Sequence, residues 1–139
     1  MKKLIYIFII TLISIGCKKN SFLDEQLIKT GWVLTDILDE NDIIIYENID
    51  STNRDIYLIF TSDFEIIGHT PSIRIKGTFE NDNKGSIKFS KVSVPFVSLK
   101  YVWEETFLYN YDKIIRYEII DNKMYIELTN MNKLIFKRG

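Results

Sequence analysis

Three stretches of the chain alternate apolar and polar side chains with a period of two. Ile73, Ile75 and Phe79 alternate with Arg74, Lys76, Thr78 and Glu80. Ile87 and Phe89 alternate with Ser86, Lys88 and Ser90, and Met124, Ile126 and Leu128 with Tyr125, Glu127 and Thr129. This period predicts strands with one buried and one wet face. Ile56 to Phe60 is apolar throughout, which predicts a central strand covered on both faces. Trp32 to Leu38 and Leu134 to Lys137 add strands at the two ends. Between these runs stand turn formers. Asp121-Asn122 suits a tight hairpin, Asn81 to Gly85 a longer loop ending on glycine, and Asn130-Met131-Asn132 a last connection. Asp39 to Asn53 is polar at both ends around Ile43-Ile44-Ile45-Tyr46 and reads as a loop with a short edge strand.

One stretch has a different period. Leu99, Val102, Trp103, Thr106 and Phe107 fall on one face of a helix, with Glu104 and Glu105 on the other, solvated side. Pro95 cannot sit inside that helix, so it starts afterwards and spans about residues 98–110. Its apolar face is expected to cover one end or side of the sheet, with Trp103 as a core side chain.

The first residues follow another logic. Lys2 and Lys3 precede an apolar run from Leu4 to Ile15, softened only by Thr11 and Ser14. A spanning helix needs about 20 apolar residues, so the run fits the core of a cleaved signal peptide. Ser14-Ile15-Gly16-Cys17 resembles a lipobox, with Ser14 where leucine is usual. Cys17 is then the lipidation site, residues 1–16 a lipoprotein signal peptide, and residues 17–30 a lipidated tether carrying Lys18 and Lys19. The expected address is the cell envelope, on the outer membrane facing the periplasm.

Composition narrows the rest. Residues 31–139 make one domain, large enough to fold without metal or disulfide. Cys17 is the single cysteine, so an intramolecular disulfide is impossible. Isoleucine, phenylalanine and tyrosine are abundant and alanine is absent, as suits a β protein. Loss of Lys2 and Lys3 with the leader takes the formal charge from −1 to about −3. No basic stripe remains for nucleic acid.

The order of these residues resembles the META domain, the family that includes HslJ-like bacterial envelope proteins. Gly31-Trp32-Val33-Leu34 is similar to its opening Trp-x-Leu strand, and Ile56 to Phe60, Asp63 and Gly68 to its strand-turn-strand. Gly77-Thr78-Phe79 resembles the Gly-x-Tyr element, with Phe79 in the tyrosine place, and Glu105, Phe107 and Leu108 are similar to the helix. Tyr117-Glu118-Ile119 and Leu134-Ile135-Phe136 match the closing strands. Pro71-Ser72-Ile73 stands where the family often has Gly-Cys-Asn, and a second family cysteine is missing near Ser98. No role tied to those cysteines transfers. The resemblance implies a mainly β domain: an antiparallel sheet curled into an open or cracked barrel, with a single packed helix and no agreed catalytic activity.

The candidate chemistry is sparse. His69, the only histidine, lies beside Thr70 and Ser72, but sequence neighbours rarely converge along an extended chain, and a triad is defined by geometry. One histidine and one acylated cysteine do not make a zinc site. Asp36, Asp39, Glu40 and Asp42 lack the spacing of a calcium loop and read as a solvated acidic loop. Adjacent Glu104 and Glu105 diverge by about 100° on a helix, so they are not an acid/base pair. No catalytic residue, cofactor or metal is therefore expected.

Aromatic residues crowd the helix: Phe96, Tyr101, Trp103, Phe107, Tyr109 and Tyr111. They are core, or Trp103, Phe107 and Tyr109 line a pocket for an apolar ligand. The resulting expectation is a monomeric, non-enzymatic envelope lipoprotein held to the membrane through Cys17, acting by contacts with other envelope proteins or in envelope stress. The alternative is a lipocalin-like module for an apolar small molecule or acyl chain.

Overall fold

The computed structural model describes residues 21–49, 54–95 and 98–139. The fold is mainly β, a nearly closed antiparallel barrel with one principal helix. Its strands are β1 (Trp32–Leu38), β2 (Ile44–Glu47), β3 (Tyr57–Phe60), β4 (Glu65–His69), β5 (Arg74–Asn81), β6 (Ile87–Ser93), β7 (Ile114–Ile120), β8 (Lys123–Leu128) and β9 (Lys133–Arg138). They lie in the order β6-β5-β4-β3-β1-β9-β8-β7, each antiparallel to its neighbours. One edge of β1 pairs with β9 along its length. The other edge is shared: β3 pairs with Trp32 and Val33, and β2 with Asp36 to Leu38. β6 and β7 approach each other to close the barrel. Tyr117 N–H donates to the Gly85 carbonyl at 2.9 Å, and Ser86 and Arg116 form one bridge. Bulges in β1, β5 and β7 supply the curvature that closure needs.

The alternating segments behave as their period requires. Ile75 and Phe79 on β5, Ile87 and Phe89 on β6, and Met124, Ile126 and Leu128 on β8 all point into the core. The turns also form as read, with Asp121, Met131 and Gly85 at positive φ. Ile56 to Phe60 is different. Leu58 and Phe60 are buried, but Ile59 is exposed and Tyr57 half-buried, so the strand alternates although its sequence does not. A barrel strand has only one covered face, and here its outer face happens to be apolar. Gly31 allows Tyr57 to cross this outer face: a Cβ at Gly31 would lie 1.9 Å from the Tyr57 hydroxyl.

A short helix closes each end. α1 (Glu25–Ile28) lies in the segment expected to be free tether. It forms there because Asp24 caps it, accepting a hydrogen bond from the Gln26 N–H at 2.9 Å, and because Leu27 is buried in the core. α2 (Val102–Leu108), shorter than the predicted 98–110, follows β6 and is continued by a 3-10 turn at Tyr111–Lys113. Phe107 and Leu108 of α2 enter the core, where the Phe107 ring meets Phe136 edge-on at 6.4 Å. Between the two ends the barrel is filled by side chains: Phe60 contacts Phe79 and Phe89 edge-to-face at 5.2 and 5.8 Å, and Trp32, Phe136, Met124 and Ile126 have no exposed surface.

Candidate functional site

Polar side chains are gathered inside the described protein at the α2 end. The buried stripe of α2 is Glu104, Phe107 and Leu108, at i, i+3 and i+4. Glu104 is 0% exposed, which corrects its expected place on the solvated side. The apolar pattern had turned the helix the wrong way: Val102 is 79% exposed and Trp103 only half-buried. Hydrogen bonding is the physical reason for the difference. The Glu104 carboxylate accepts four bonds, from Thr70 Oγ1 (2.6 Å), Ser72 Oγ (2.8 Å), Ser72 N–H (3.0 Å) and Tyr101 N–H (3.1 Å). Thr70 and Ser72 lie in the turn between β4 and β5, so the cluster ties α2 to the far side of the barrel mouth. The Tyr101 bond is also one half of a capping box, with Glu104 as third residue of the helix.

Burial pushes the Glu104 carboxyl up. The hydrogen bonds from Thr70, Ser72 and Tyr101 outweigh it and hold the group below its ordinary value of 4.5. Four donors occupy the four acceptor positions of an ionised carboxylate. A group so enclosed and satisfied has no free lone pair for a substrate proton, so its chemistry is that of a clamp. The turn carries its own supports: Ile73 N–H donates to Thr70 Oγ1 at 3.2 Å, and Lys100 N–H to Ser72 Oγ at 2.8 Å.

The singled-out residues fall in separate places. His69 lies on the outer face of β4, its ring 5.8 Å from that of Tyr57, while the Ser72 hydroxyl donates to Glu104. The structure therefore pairs serine with glutamate and not with histidine. Glu105 is exposed beside buried Glu104. Of the expected acidic loop, Glu40 and Asp42 are exposed, Asp42 pairing with Lys133 at 2.7 Å, and Asp39 is half-buried, its Oδ1 accepting from the N–H groups of Asn41 and Ile43. Asp36 is instead half-buried on β1, where it accepts from Thr35 Oγ1 at 2.9 Å, because the strand continues past it to Leu38. Among the described residues no group of three or more His, Cys, Asp or Glu is placed to hold a metal ion.

The three pocket aromatics have three environments. Phe107 is core, Tyr109 is 68% exposed, and Trp103 lies between the rings of Tyr46 (4.6 Å) and Tyr101 (5.2 Å, stacked) at the rim. Tyr46 Oη is buried there without a hydrogen-bond partner among the described residues, and burial, with Asp55 and Asp36 nearby, pushes its pKa up to about 12. Cys17, residues 1–16 and Phe96 lie outside the described residues.

The Glu104 clamp was missed because polarity was read as exposure. Two signals bore on it: Tyr101-x-x-Glu104, with the spacing of a capping box, and the hydroxyl pair Thr70-Pro71-Ser72.

No family model matches this sequence, and no curated protein does. Solved structures show the same fold. A protein from Burkholderia xenovorans is 17% identical, with a TM-score of 0.67 over 83% of this chain and 85% of its own. A DUF4847 family protein from Bacteroides vulgatus is 15% identical, with a TM-score of 0.67 over 83% of this chain and 96% of its own.

Proposed function

We propose that the chain is a lipid-anchored, non-enzymatic binding domain of the bacterial envelope, related to the META domain, that acts through its outer surface on other envelope proteins. One observation carries this reading. The barrel interior is packed with side chains, while Ile44 and Ile45 of β2, and Ile43 just before it, stand exposed; β2 pairs only with β1 among the described residues. An edge strand offers unpaired N–H and C=O groups, on which an extended segment of a partner adds by main-chain hydrogen bonds. A lipocalin-like carrier needs an apolar interior of about 300–1,000 Å³, and the core rings occupy that space.

The anchor fits this arrangement. Phe22 N–H donates to the Asn81 carbonyl at 3.1 Å, which fixes the start of the described chain at the α1 end. Four residues separate Cys17 from Phe22 and span at most about 18 Å. A lipid on Cys17 therefore holds the α1 end, with exposed Phe22 and Leu23, against the membrane. The β2 and α2 end then faces away, toward partners.

The test uses the full-length protein in its own cells. Mass spectrometry is expected to find a processed, acylated Cys17, and Cys17→Ser to leave the membrane fraction. A photo-crosslinker at Ile45 is expected to give a discrete protein adduct, and one at Lys88 none. An unprocessed amino terminus overturns the anchor. Absence of an adduct at Ile45, with a small molecule retained in native mass spectra, overturns the outer-surface reading in favour of the carrier.

A further inference from the structure

Beyond that reading, a second outer surface has the chemistry of a ligand site. Tyr57, His69 and Arg74 are register partners on β3, β4 and β5, so they stand in one row across the outside of the barrel. The next row is Ile59, Ile67 and Lys76. The Arg54 guanidinium lies over the Tyr57 ring, 4.9 Å from its centre. Apart from Lys76, these residues floor and flank an open hollow of about 580 Å³.

Three features of this hollow point the same way. Its floor is apolar and aromatic: Ile59 and Ile67 are exposed, with Tyr57 and His69 beside them. Its flanks are cationic: Arg54 and Arg74 have no carboxylate within salt-bridge distance among the described residues. The strands carrying Tyr57 and Arg74 are two spacings apart, about 10 Å, so two arginine side chains can converge on one anion between them. Asp55 stands beside Arg54 in the chain, and Glu65 lies one row beyond Ile67 on the same face of β4. Arginines with no acidic partner among the described residues, in a chain of net negative charge, are poised for an anion from outside.

We infer that this hollow binds an amphiphilic anion, a phosphate or carboxylate held by Arg54 and Arg74 with its apolar body on Ile59 and Ile67. The anion comes either from a free amphiphile or from a lipid headgroup. Both present the same chemistry to the site, and the test separates them.

Calorimetric titration of the full chain with octyl phosphate, below its micelle concentration, is expected to show saturable binding. The double variant Arg54→Ala/Arg74→Ala is expected to lose at least tenfold in affinity, and Ile67→Ser severalfold. Inorganic phosphate is expected to bind at least tenfold more weakly than octyl phosphate, because it cannot cover the floor. These substitutions lie on the outer face, and circular dichroism melts verify that the variants stay folded. Phosphatidylglycerol vesicles, with phosphatidylcholine vesicles as control, form the second arm. Binding to octyl phosphate assigns the site to a free amphiphile. Binding to anionic vesicles alone, lost in the double variant, assigns it to a headgroup. Failure of both probes to bind, or equal binding by the double variant, overturns the inference. Equal affinity for inorganic and octyl phosphate overturns its apolar half. The octyl phosphate arm depends on neither β2 nor Cys17, and in the vesicle arm the phosphatidylcholine control and the double variant separate the hollow from the lipid on Cys17, so the proposed outer-surface function stands or falls separately.

Discussion

The two ends of the barrel solve the same problem with different materials, a mainly apolar plug beside an Asn81–Tyr117–Asp24 hydrogen-bond chain at one end and an enclosed carboxylate at the other. At the α1 end, Leu27 and Trp32 are fully buried, and the Trp32 indole N–H donates to the Leu27 carbonyl at 2.9 Å. Arg138 stays at the rim, 4.6 Å over the Trp32 ring, and donates to Gln26 O at 3.0 Å and Gln26 Oε1 at 2.8 Å. At the α2 end the charge is inside: Glu104 is enclosed and its helix is bound through it to the β4–β5 turn. An apolar plug tolerates imperfect geometry, since burial is roughly proportional to area. A buried carboxylate does not, since each of its donors depends on the others for a place to point. The α1 end is thus expected to be the more stable closure and the α2 end the more specific one.

The largest separation between the ends comes from Trp32→Ala. The side chain is fully buried and joins α1, β1 and β9, so its truncation leaves a cavity and strands the plug. A loss of about 3–5 kcal/mol is expected in urea unfolding. A loss as small as that of a surface substitution breaks the comparison at its apolar half.

Removing the clamp comes next. Glu104→Ala leaves two hydroxyls and two backbone N–H groups without their acceptor and is expected to cost about 3 kcal/mol; the isosteric Glu104→Gln costs about 2 kcal/mol. The pH dependence identifies the cause. The folded-state pKa of Glu104 lies below its ordinary value of 4.5, so the contribution is complete above that pH. It is lost as the pH falls from 4.5 through the lower folded value. Thermal melts of wild type and Glu104→Gln are expected to differ most near neutral pH and to converge under acid. A gap that stays constant into strong acid shows that an uncharged acceptor suffices there.

These two ends also differ in how far the sequence foretold them. Period-two alternation revealed β5, β6 and β8, and turn residues such as Asp121 gave their connections. Trp32 was legible as the opening of an apolar strand, and the structure buries it completely. The one-turn helix α1 was not legible, since four residues are too few for a 3.6-residue period to show. Glu104 was hidden by the same method that found the strands. A polarity pattern scores a carboxylate as solvent-facing, and only the hydroxyls of Thr70 and Ser72, more than thirty residues away in the chain, reverse that score. Barrel closure through Gly85 and Tyr117 is likewise a long-range event with no local signature. For the same reason the row Tyr57, His69 and Arg74 emerges only from strand register.

The smaller effects sharpen the picture of the α2 rim. Trp103 resembles Trp32 in size but is only half-buried, stacked on Tyr101 and tilted against Tyr46. Its replacement by alanine removes less area from the protected interior, and about 1–2 kcal/mol is expected in urea unfolding. A value near that of Trp32→Ala places Trp103 in the core after all and makes the two ends energetically alike.

Tyr46→Phe tests the rim at its finest. The Tyr46 ring packs on Trp103, and its hydroxyl is buried with no hydrogen-bond partner among the described residues. Deleting a buried, unpaired hydroxyl while keeping the ring removes a desolvation cost and no contact. The variant is expected to melt at the wild-type temperature or slightly above it, a change within about 1 kcal/mol. A clear destabilisation means that the hydroxyl is paired in solution, with Asp55 and Asp36 the acidic groups near it. In that case the α2 end holds a second polar contact besides the Glu104 clamp, and its contrast with the mainly apolar α1 end is greater than the clamp alone makes it.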